Sequence, residues 1–228
     1  FKLPNNLADI LTAVLIYKII KQKSKKWALL GFIFYLFNPA LIFNSSVWGQ
    51  ADSFLVFLLF SSFYLLLEKK SLFFSALVFS LAFLVKPQAL FLLPVLTALL
   101  YKEYRFRKLA GFILTFSLTS LLVALPFFPN QPLLGLPKLI FQMGQDYQVT
   151  TANAFNFWRL FDNWQDDQVL FFVFPKYCWG FFFYLFFETV ILSLVLFSPK
   201  QKKESYYLTA GLSLLNFFLF PTRVHERY

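Results

Sequence analysis

Charged residues and cysteine are scarce in this sequence, and each scarcity excludes a class of protein. Only 14% of the 228 residues are charged, whereas about 25% is usual for a soluble globular domain. Hydrophobic residues make up 59% of the chain, which is more apolar surface than one core can bury, so lipid must cover the rest. The single cysteine, Cys178, excludes an intramolecular disulfide and a cysteine-based metal site. We therefore predict an integral membrane protein.

Long apolar runs are abundant instead, and they predict membrane-spanning helices. The runs are continuous rather than alternating, which favours helices over strands. Several are shorter than the ~20 residues that cross a bilayer, so they extend beyond these limits or lie half-buried in the bundle. We predict an all-α, polytopic transmembrane helix bundle of about eight spans in one transmembrane domain, residues 1–228. The predicted spans are residues 7–20, 27–43, 53–67, 71–85, 89–101, 109–126, 177–197 and 206–220.

Basic residues mark every second connection between these runs, which sets the orientation by the positive-inside rule. Fourteen of the 21 Lys and Arg lie in residues 18–26, 69–70, 102–108 and 200–203, and only three acidic residues, Glu68, Glu103 and Glu204, lie in or next to these ranges. The net charge of +10 is therefore a topology signal, and no nucleic-acid partner is expected. The alternation places outside the cytoplasm residues 1–6, 44–52, 86–88, 127–176 and 221–228.

Unusual polarity concentrates in these external connections, and the segment 44–53 is the strongest example. Trp48 suits the aromatic belt at the membrane interface. Gly49 permits a positive φ or a close backbone approach. Asp52 either caps the helix that begins at Ser53 or lines a site. Chemistry is expected on this side of the membrane, around residues 48–52.

Three isolated charges stand out elsewhere. Asp9 follows a helix start at Pro4, where an acid suits the helix dipole, or it braces the external site. Glu188 lies deep in a predicted span, where a carboxylate is a functional candidate or a buried structural hydrogen-bonding group. Lys86 occupies an external turn, where it either snorkels to the interface or binds a phosphate. Both alternatives stay open for each residue.

Residues 127–176 form the only long connection between predicted spans, and connections of this length are usually functional. We expect short amphipathic helices at residues 138–142 and 154–161, lying on the membrane surface. Aromatic, Asn and Gln side chains in this loop suit a sugar ring, by stacking and hydrogen bonding. The charged residues of the loop are Lys138, Asp146, Arg159, Asp162, Asp166, Asp167 and Lys176.

The external end of the chain, residues 221–228, is dense in charge. It contains the only histidine, His225, together with Arg223, Glu226 and Arg227. Guanidinium groups suit bidentate recognition of phosphate. Ionisable groups at a bilayer surface are energetically unfavourable unless they bind a ligand or stay solvated. A phosphate site is therefore one interpretation, and a solvated loop end is the other.

Four strings occur in order along nearly the whole chain: FNSSVWGQADS at 43–53, KPQ at 86–88, ANAFNFW at 152–158 and RVHERY at 223–228. Together they resemble the GT-C superfamily of membrane glycosyltransferases. The chain looks closest to the bacterial mannosyltransferases related to the enzyme that adds the second mannose of glycosylphosphatidylinositol anchors. The Trp-Gly-Gln-Ala-Asp and His-Glu-Arg-Tyr strings carry most of this resemblance, whereas Lys-Pro-Gln alone is a weak signal.

The resemblance implies transfer of a hexose, mannose foremost, from a polyprenyl-phosphate-linked donor to a glycan, lipid or protein acceptor. It implies a multi-pass protein of the plasma (inner) membrane with an extracytoplasmic active site. Such enzymes use an Asp in the first external loop as general base. The chain begins at Phe1 rather than Met, so we expect a fragment whose base lies upstream, and the catalytic residue is unknown.

Phosphate and sugar are expected to contact external residues from all four strings. No cofactor is expected, and the absence of an Asp-x-Asp string means that no metal is demanded. A transporter or flippase of lipid-linked glycans is the alternative function, since it shares the substrate class. The predicted supporting residues are Asp9 and Asn44. The predicted binding residues are Trp48, Gln50, Asp52, Lys86, Gln88, Asn153, Asn156, Arg223, His225, Glu226 and Arg227.

Overall fold

The computed structural model describes residues 2–145, 148–198 and 202–225. The chain divides into two compact units. The first unit comprises Phe1–Ala89 and Ala110–Ser120, and the second comprises Leu90–Leu109 and Leu121–Tyr228. The prediction of one transmembrane domain over residues 1–228 stays a prediction.

Helices form the whole backbone framework of the first unit. Ser24 begins the second helix by accepting a hydrogen bond from the backbone N–H of Trp27, at 3.4 Å. Asn38 likewise caps the third helix by accepting from the N–H of Ala40, at 3.0 Å. Such caps satisfy the free N–H groups of a helix start. The elements are α1 (Leu3–Lys21), α2 (Lys25–Leu36), α3 (Pro39–Ile42), a π-helix (Phe43–Trp48), α4 (Asp52–Leu67) and α5 (Leu72–Val85).

Packing in the first unit pairs α1 with α2 and with α4, and α4 with α5. Ser62 and Ser75 join α4 to α5, because each hydroxyl donates to the backbone carbonyl of the other serine, at 2.9 and 2.8 Å. Both serines are fully buried. Apolar packing continues at Phe79, whose ring lies 6.2 Å from that of Phe112 and 5.5 Å from that of Phe116.

The predicted spans 89–101 and 109–126 correspond to two helices that meet at a break at Arg105. A 3-10 helix (Pro87–Leu92) leads into α6 (Leu93–Ala124), and a second 3-10 helix (Leu125–Phe127) follows. Only Arg105 leaves the helical region inside α6, with φ 65° and ψ 171°. The predicted basic connection, residues 102–108, is therefore helical on both sides of this break. It contains no Gly or Pro, the residues that most strongly oppose a helix.

The second unit combines two long helices with a loop that carries short strands. Residues 138–142 are helical within α7, as the sequence predicts, whereas only four residues within 154–161 form a 3-10 turn. Strand β1 pairs in parallel with β4, and β2 pairs antiparallel with β3. The elements are α7 (Gly135–Met143), β1 (Thr151–Ala152), the 3-10 turn Phe157–Leu160, β2 (Leu170–Phe171), β3 (Phe174–Pro175), α8 (Lys176–Phe197), α9 (Lys203–Leu219) and β4 (Val224–His225).

Aromatic packing holds the loop of the second unit onto its helices. Trp158 is fully buried, and its indole N–H donates to the carbonyl of Phe220, at 2.7 Å. The ring of Phe220 stacks on that of Phe187 at a centroid distance of 4.6 Å. Gly180 of α8 lies against the backbone of Phe220, since a Cβ at position 180 would be 2.9 Å from the carbonyl oxygen of Phe220. The loop is therefore fastened by a buried aromatic anchor.

Membrane-spanning capacity is confirmed, but the count of eight spans is not. Within the described residues, three helical stretches are long and apolar enough to cross a membrane: Leu3–Lys21, Pro87–Phe127 and Lys176–Phe197. A fourth is possible if Lys25–Leu36 and Pro39–Trp48, bent by 43°, form one broken span. Helices α4 and α5 have 16 and 14 residues, and at 1.5 Å per residue neither reaches the ~30 Å of a hydrocarbon core.

Candidate functional site

A π-helix shapes the end of the first unit that the sequence places outside the cytoplasm. The carbonyl oxygen of Asn44 accepts hydrogen bonds from the N–H groups of Gly49 and Gln50, at 2.9 and 3.1 Å. Gly49 has φ 76°, one of the two alternatives that the sequence left open, and this conformation allows the chain to turn sharply into α4. Trp48 ends the π-helix with 43% of its surface exposed. Single π-helical turns of this kind are frequent at functional sites.

Asp52 and Lys86 form an ion pair at this end of the first unit. The Lys86 ammonium donates to Oδ1 of Asp52, and the Asn44 amide donates to Oδ2 at 3.3 Å. Each side chain of the ion pair is 22% exposed. Asp52 therefore does not act as a helix cap, since the N-cap is Ala51 and no side chain bonds there. Its carboxylate is held instead between two polar groups from different parts of the chain.

Lys2 adds a second ammonium group to the same end of the unit. Its Nζ donates to the carbonyl of Val47 at 3.0 Å, and its aliphatic chain lies 3.4 Å from the position of a Cβ on Gly49. The hydroxyl of Ser46 donates to Asn6, at 3.0 Å, and this bond joins α1 to the π-helix. We call Lys2, Asn44, Asp52 and Lys86 the Asp52 cluster. It contains two ammonium groups and one carboxylate, so it favours an anionic ligand.

Two further predicted residues of the first unit carry buried oxygens. Oε1 of Gln88 and Oδ1 of Asp9 are buried without a hydrogen-bond partner among the described residues. Asp9 is only 4% exposed, on the same face of α1 as buried Asn5 and Thr12. It lies beyond the first turn of α1, which contains no acidic residue. The helix-dipole interpretation is therefore wrong, and the bracing interpretation stays a prediction.

Arg223 is the best-anchored predicted residue of the second unit. Its Nε and Nη2 donate to the two carboxylate oxygens of Asp167, at 2.7 and 3.3 Å, and its Nη1 donates to the carbonyl of Gly144 at 2.8 Å. The Asp167 side chain is fully buried and also accepts from the hydroxyl of Thr222, at 2.9 Å. The guanidinium lies over the ring of Tyr177, at 5.9 Å. Arg223 is thus already engaged bidentately by a carboxylate.

Sequence reasoning counted Asp162, Asp167 and Lys176 as loop charges but missed their partners. Lys176, at the start of α8, pairs with Asp162, which also accepts from the hydroxyl of Thr150. Lys176 is buried, so a carboxylate near it was to be expected, since buried charges are normally paired. The partner lies 14 residues away, and no sequence pattern identifies it.

The remaining predicted residues of the second unit meet at the β1–β4 ladder. His225 pairs with Ala152 and forms a bridge with Asn153. Asn153 has φ 59°, and its side-chain oxygen accepts from the amide of Asn163 and the indole of Trp164, both at 3.0 Å.

Three other residues of this unit complete the comparison with the sequence predictions. Asn156 is 5% exposed and caps the 3-10 turn by accepting from the N–H of Arg159, at 3.3 Å. The predicted residues Glu226 and Arg227 lie outside the described residues.

Glu188 is enclosed by neutral donors within the second unit. Ser213 donates to Oε1 at 2.8 Å and Asn216 donates to Oε2 at 3.0 Å. The residue is 3% exposed. These contacts favour the structural interpretation, in which a buried carboxyl group ties α8 to α9.

Among the described residues, no group of three or more His, Cys, Asp or Glu is placed to hold a metal ion.

Comparison with known proteins adds one positive result to this geometry. Curated proteins and solved structures gave no match. The family model "Dolichyl-phosphate-mannose-protein mannosyltransferase" matches residues 1–130, more than half of the chain, including the whole Asp52 cluster. The chain therefore belongs to the dolichyl-phosphate-mannose-protein mannosyltransferase family, and it is a membrane glycosyltransferase that uses a polyprenyl-phosphate-mannose donor.

Proposed function

We propose that the Asp52 cluster binds the phosphate of the polyprenyl-phosphate donor, and that transfer takes place on the extracytoplasmic side. One observation supports this most strongly. A partly exposed ion pair between Lys86 and Asp52, with Lys2 on the same end of the unit, lies inside the segment that matches the family. The net positive charge of the cluster is complementary to a phosphodiester.

The proposed chemistry explains why an ammonium group is needed. An acceptor hydroxyl oxygen attacks the anomeric carbon, the bond from that carbon to the phosphate oxygen breaks, and the phosphate keeps the electron pair. The hydroxyl proton passes to a general base. Negative charge therefore grows on the phosphate as the bond breaks, and a fixed ammonium in a poorly hydrated place stabilises it. In this proposal Lys86 contacts the phosphate, and Asp52 positions Lys86.

The general base is not assigned to Asp52, because that carboxylate is held by Lys86 and Asn44. The expectation that the base precedes Phe1 stays a prediction. We propose that Trp48 and Gln50, which flank the turn into α4, contact the sugar, and that Gln88 supplies a further hydrogen-bonding group beside Lys86. The buried, unpartnered oxygen of Gln88 supports a role for this side chain in polar contacts.

Contacts between the predicted connections within each unit support the proposed side of the membrane. In the first unit, predicted external segments meet through Asp52 and Lys86, while predicted cytoplasmic ones meet where Gln22 donates to Glu68, at 3.0 Å. In the second unit, Lys102 donates to the carbonyl of Val195, at 2.5 Å. These contacts support the eight-span, positive-inside topology, and we retain that topology and a plasma-membrane location as proposals.

The second unit is proposed to serve the sugar or the acceptor. Asn153 and Trp164 are exposed, and they form an amide and aromatic surface of the kind that holds a sugar ring. Arg223 and His225 adjoin this surface through the β1–β4 ladder. A glycan acceptor is our first choice, in keeping with the resemblance to transferases of the second mannose.

The test measures transfer of radiolabelled mannose from polyprenyl-phosphate-mannose by membranes that contain the full-length protein. Lys86→Met should lower kcat/KM by about 10²–10³, the usual effect of removing one group that stabilises developing charge. Lys86→Arg should retain part of the activity because it keeps the charge. Lys26→Met, an exposed lysine of the predicted cytoplasmic side, is the matched control and should leave transfer unchanged.

Three outcomes would contradict the proposal. Full transfer by Lys86→Met would remove Lys86 from the donor site. Movement of labelled donor across vesicles without a new glycosidic bond would favour the flippase alternative. Loss of transfer in EDTA, restored by a divalent cation, would show that a metal neutralises the phosphate in place of Lys86, although the sequence demands no metal.

A further inference from the structure

Lys138 is the only charged residue between Lys108 and Asp146. It lies on α7, the short helix that follows the proline-rich turn after α6. The Lys138 ammonium donates one hydrogen bond, to Oε1 of Gln131 at 2.9 Å. An ammonium group has three donors, and no carboxylate pairs with Lys138 among the described residues. The charge is therefore uncompensated by protein within the described chain.

A pocket of about 490 Å³ opens between the turn and α7, with Lys138 in its wall. Asn130, Gln131 and Gln142 also line it, so its polar groups are three amides and one ammonium. Lys138 and Gln142 are four residues apart on α7 and share one face of the helix. Because the lining holds no acidic residue, the pocket suits a ligand that has one negative charge and several hydrogen-bond acceptors.

Local packing fixes the shape of this pocket. Gly135 begins α7 with its N–H donating to the carbonyl of Gln131, at 2.8 Å. The ring of Phe128 lies directly on Gly135, since a Cβ there would be 2.4 Å from Phe128 Cδ1. The turn and the helix are thus held together by a close contact that excludes any larger residue at position 135. The pocket is formed without a contribution from other parts of the chain.

The turn and α7 also carry apolar side chains that are open to the outside. Phe127 is 77% exposed, Leu133 68% and Phe141 71%. Amphipathic helices with this division of surface lie in the interface of a bilayer, with the apolar face among the acyl chains and the basic residue at the headgroups. A helix in that position would hold Lys138 at the level of the lipid phosphates.

We propose that this pocket binds the headgroup of an anionic phospholipid, with Lys138 and the three amides on the phosphate and the exposed apolar side chains on the acyl chains. Charge complementarity selects an anionic lipid over a zwitterionic one, because the choline group of phosphatidylcholine would add a second cation beside Lys138. The site is separate from the Asp52 cluster and is not required for the proposed donor site.

The test titrates dioleoyl-phosphatidylglycerol against the purified full-length protein in detergent and counts bound lipid by native mass spectrometry. Lys138→Gln should weaken binding of the tightest phosphatidylglycerol by about fivefold, the effect of one basic residue near an anionic headgroup. Lys138→Arg keeps the charge and should bind as the wild type does. Arg159→Gln removes an exposed cation of the same loop that does not line the pocket, and it should leave binding unchanged.

Each of the following results would overturn the proposal. Equal binding by wild type and Lys138→Gln would show that Lys138 holds no lipid, and equal losses in Lys138→Gln and Arg159→Gln would show unspecific charge attraction. Dioleoyl-phosphatidylcholine bound as tightly as phosphatidylglycerol would contradict the selection by charge. Displacement of the lipid by millimolar inorganic phosphate would identify a site for free phosphate. The response of Lys138→Arg separates loss of charge from loss of fold.

Discussion

Replacing Asp52 with Asn would leave the Lys86 ammonium, only 22% exposed, without its carboxylate. At about 4 Å and an effective dielectric constant of about 20, two unit charges attract by about 4 kcal/mol. Partial desolvation of both groups and the ordering of two side chains oppose this attraction. We therefore expect Asp52→Asn to lower the free energy of unfolding by about 1–3 kcal/mol.

A double-variant cycle separates the pair from its surroundings. Lys86→Met keeps the length of the side chain and removes its charge, so it should destabilise by a similar amount because Asp52 is then unpaired. The double variant leaves no unpaired charge and should recover about 1–2 kcal/mol relative to the sum of the single variants. The measurement is unfolding of the purified full-length protein in mixed micelles of increasing SDS content, followed by circular dichroism.

The same variants distinguish two roles of Asp52 in transfer. If Asp52 acts only by positioning Lys86, Asp52→Asn should reduce mannose transfer in the wild-type background and have no further effect in the Lys86→Met background. A further loss in the Lys86→Met background would assign Asp52 a role of its own. Strictly additive effects on stability, within about 0.5 kcal/mol, would refute the ion pair itself.

Three further substitutions test the packing of the two units by the same unfolding measurement. Gly180→Ala places a Cβ 2.9 Å from the carbonyl oxygen of Phe220 and should destabilise by about 1–3 kcal/mol; an unchanged unfolding midpoint would contradict the close contact. Asp167→Asn leaves Arg223 without its fully buried carboxylate and should lower the free energy of unfolding by about 3–5 kcal/mol. Arg223→Gln should destabilise the Asp167→Asn variant less than it destabilises the wild type. Gly49→Ala forces a side chain into φ 76° and should cost about 1 kcal/mol, whereas a neutral result would show that the turn into α4 can relax.

Helix positions were largely predictable because hydropathy is a property of a short stretch of chain. All eight predicted spans coincide with helical segments, and Gly49 has the positive φ that was one of its two predicted alternatives. The predicted count of eight membrane spans is not confirmed, because helix length depends on more than local hydropathy. Helices α4 and α5 have 16 and 14 residues, fewer than the ~20 that cross a bilayer. The basic connection at 102–108 contains the non-helical residue Arg105, where two helices meet.

The sequence predicted which polar residues belong to the candidate site, but it did not predict which of them pair with one another. The sequence indicated that Asp52, Lys86 and Arg223 lie in polar segments of one predicted side, because such residues are costly among apolar runs. It did not indicate that Lys86 would meet Asp52, 34 residues away, or that Arg223 would meet Asp167, 56 residues away.

The sequence by itself therefore determined that this protein is a helical membrane protein with its polar residues in particular connections, and its first 130 residues match the family. Only the tertiary structure decided which charges neutralise one another and which, like Lys138, have no carboxylate among the described residues. The physical reason is the separation along the chain between the residues that interact. The preference of a segment for lipid or for a helix is the sum of local contributions, whereas an ion pair forms only where packing brings two distant backbone segments within a few ångströms.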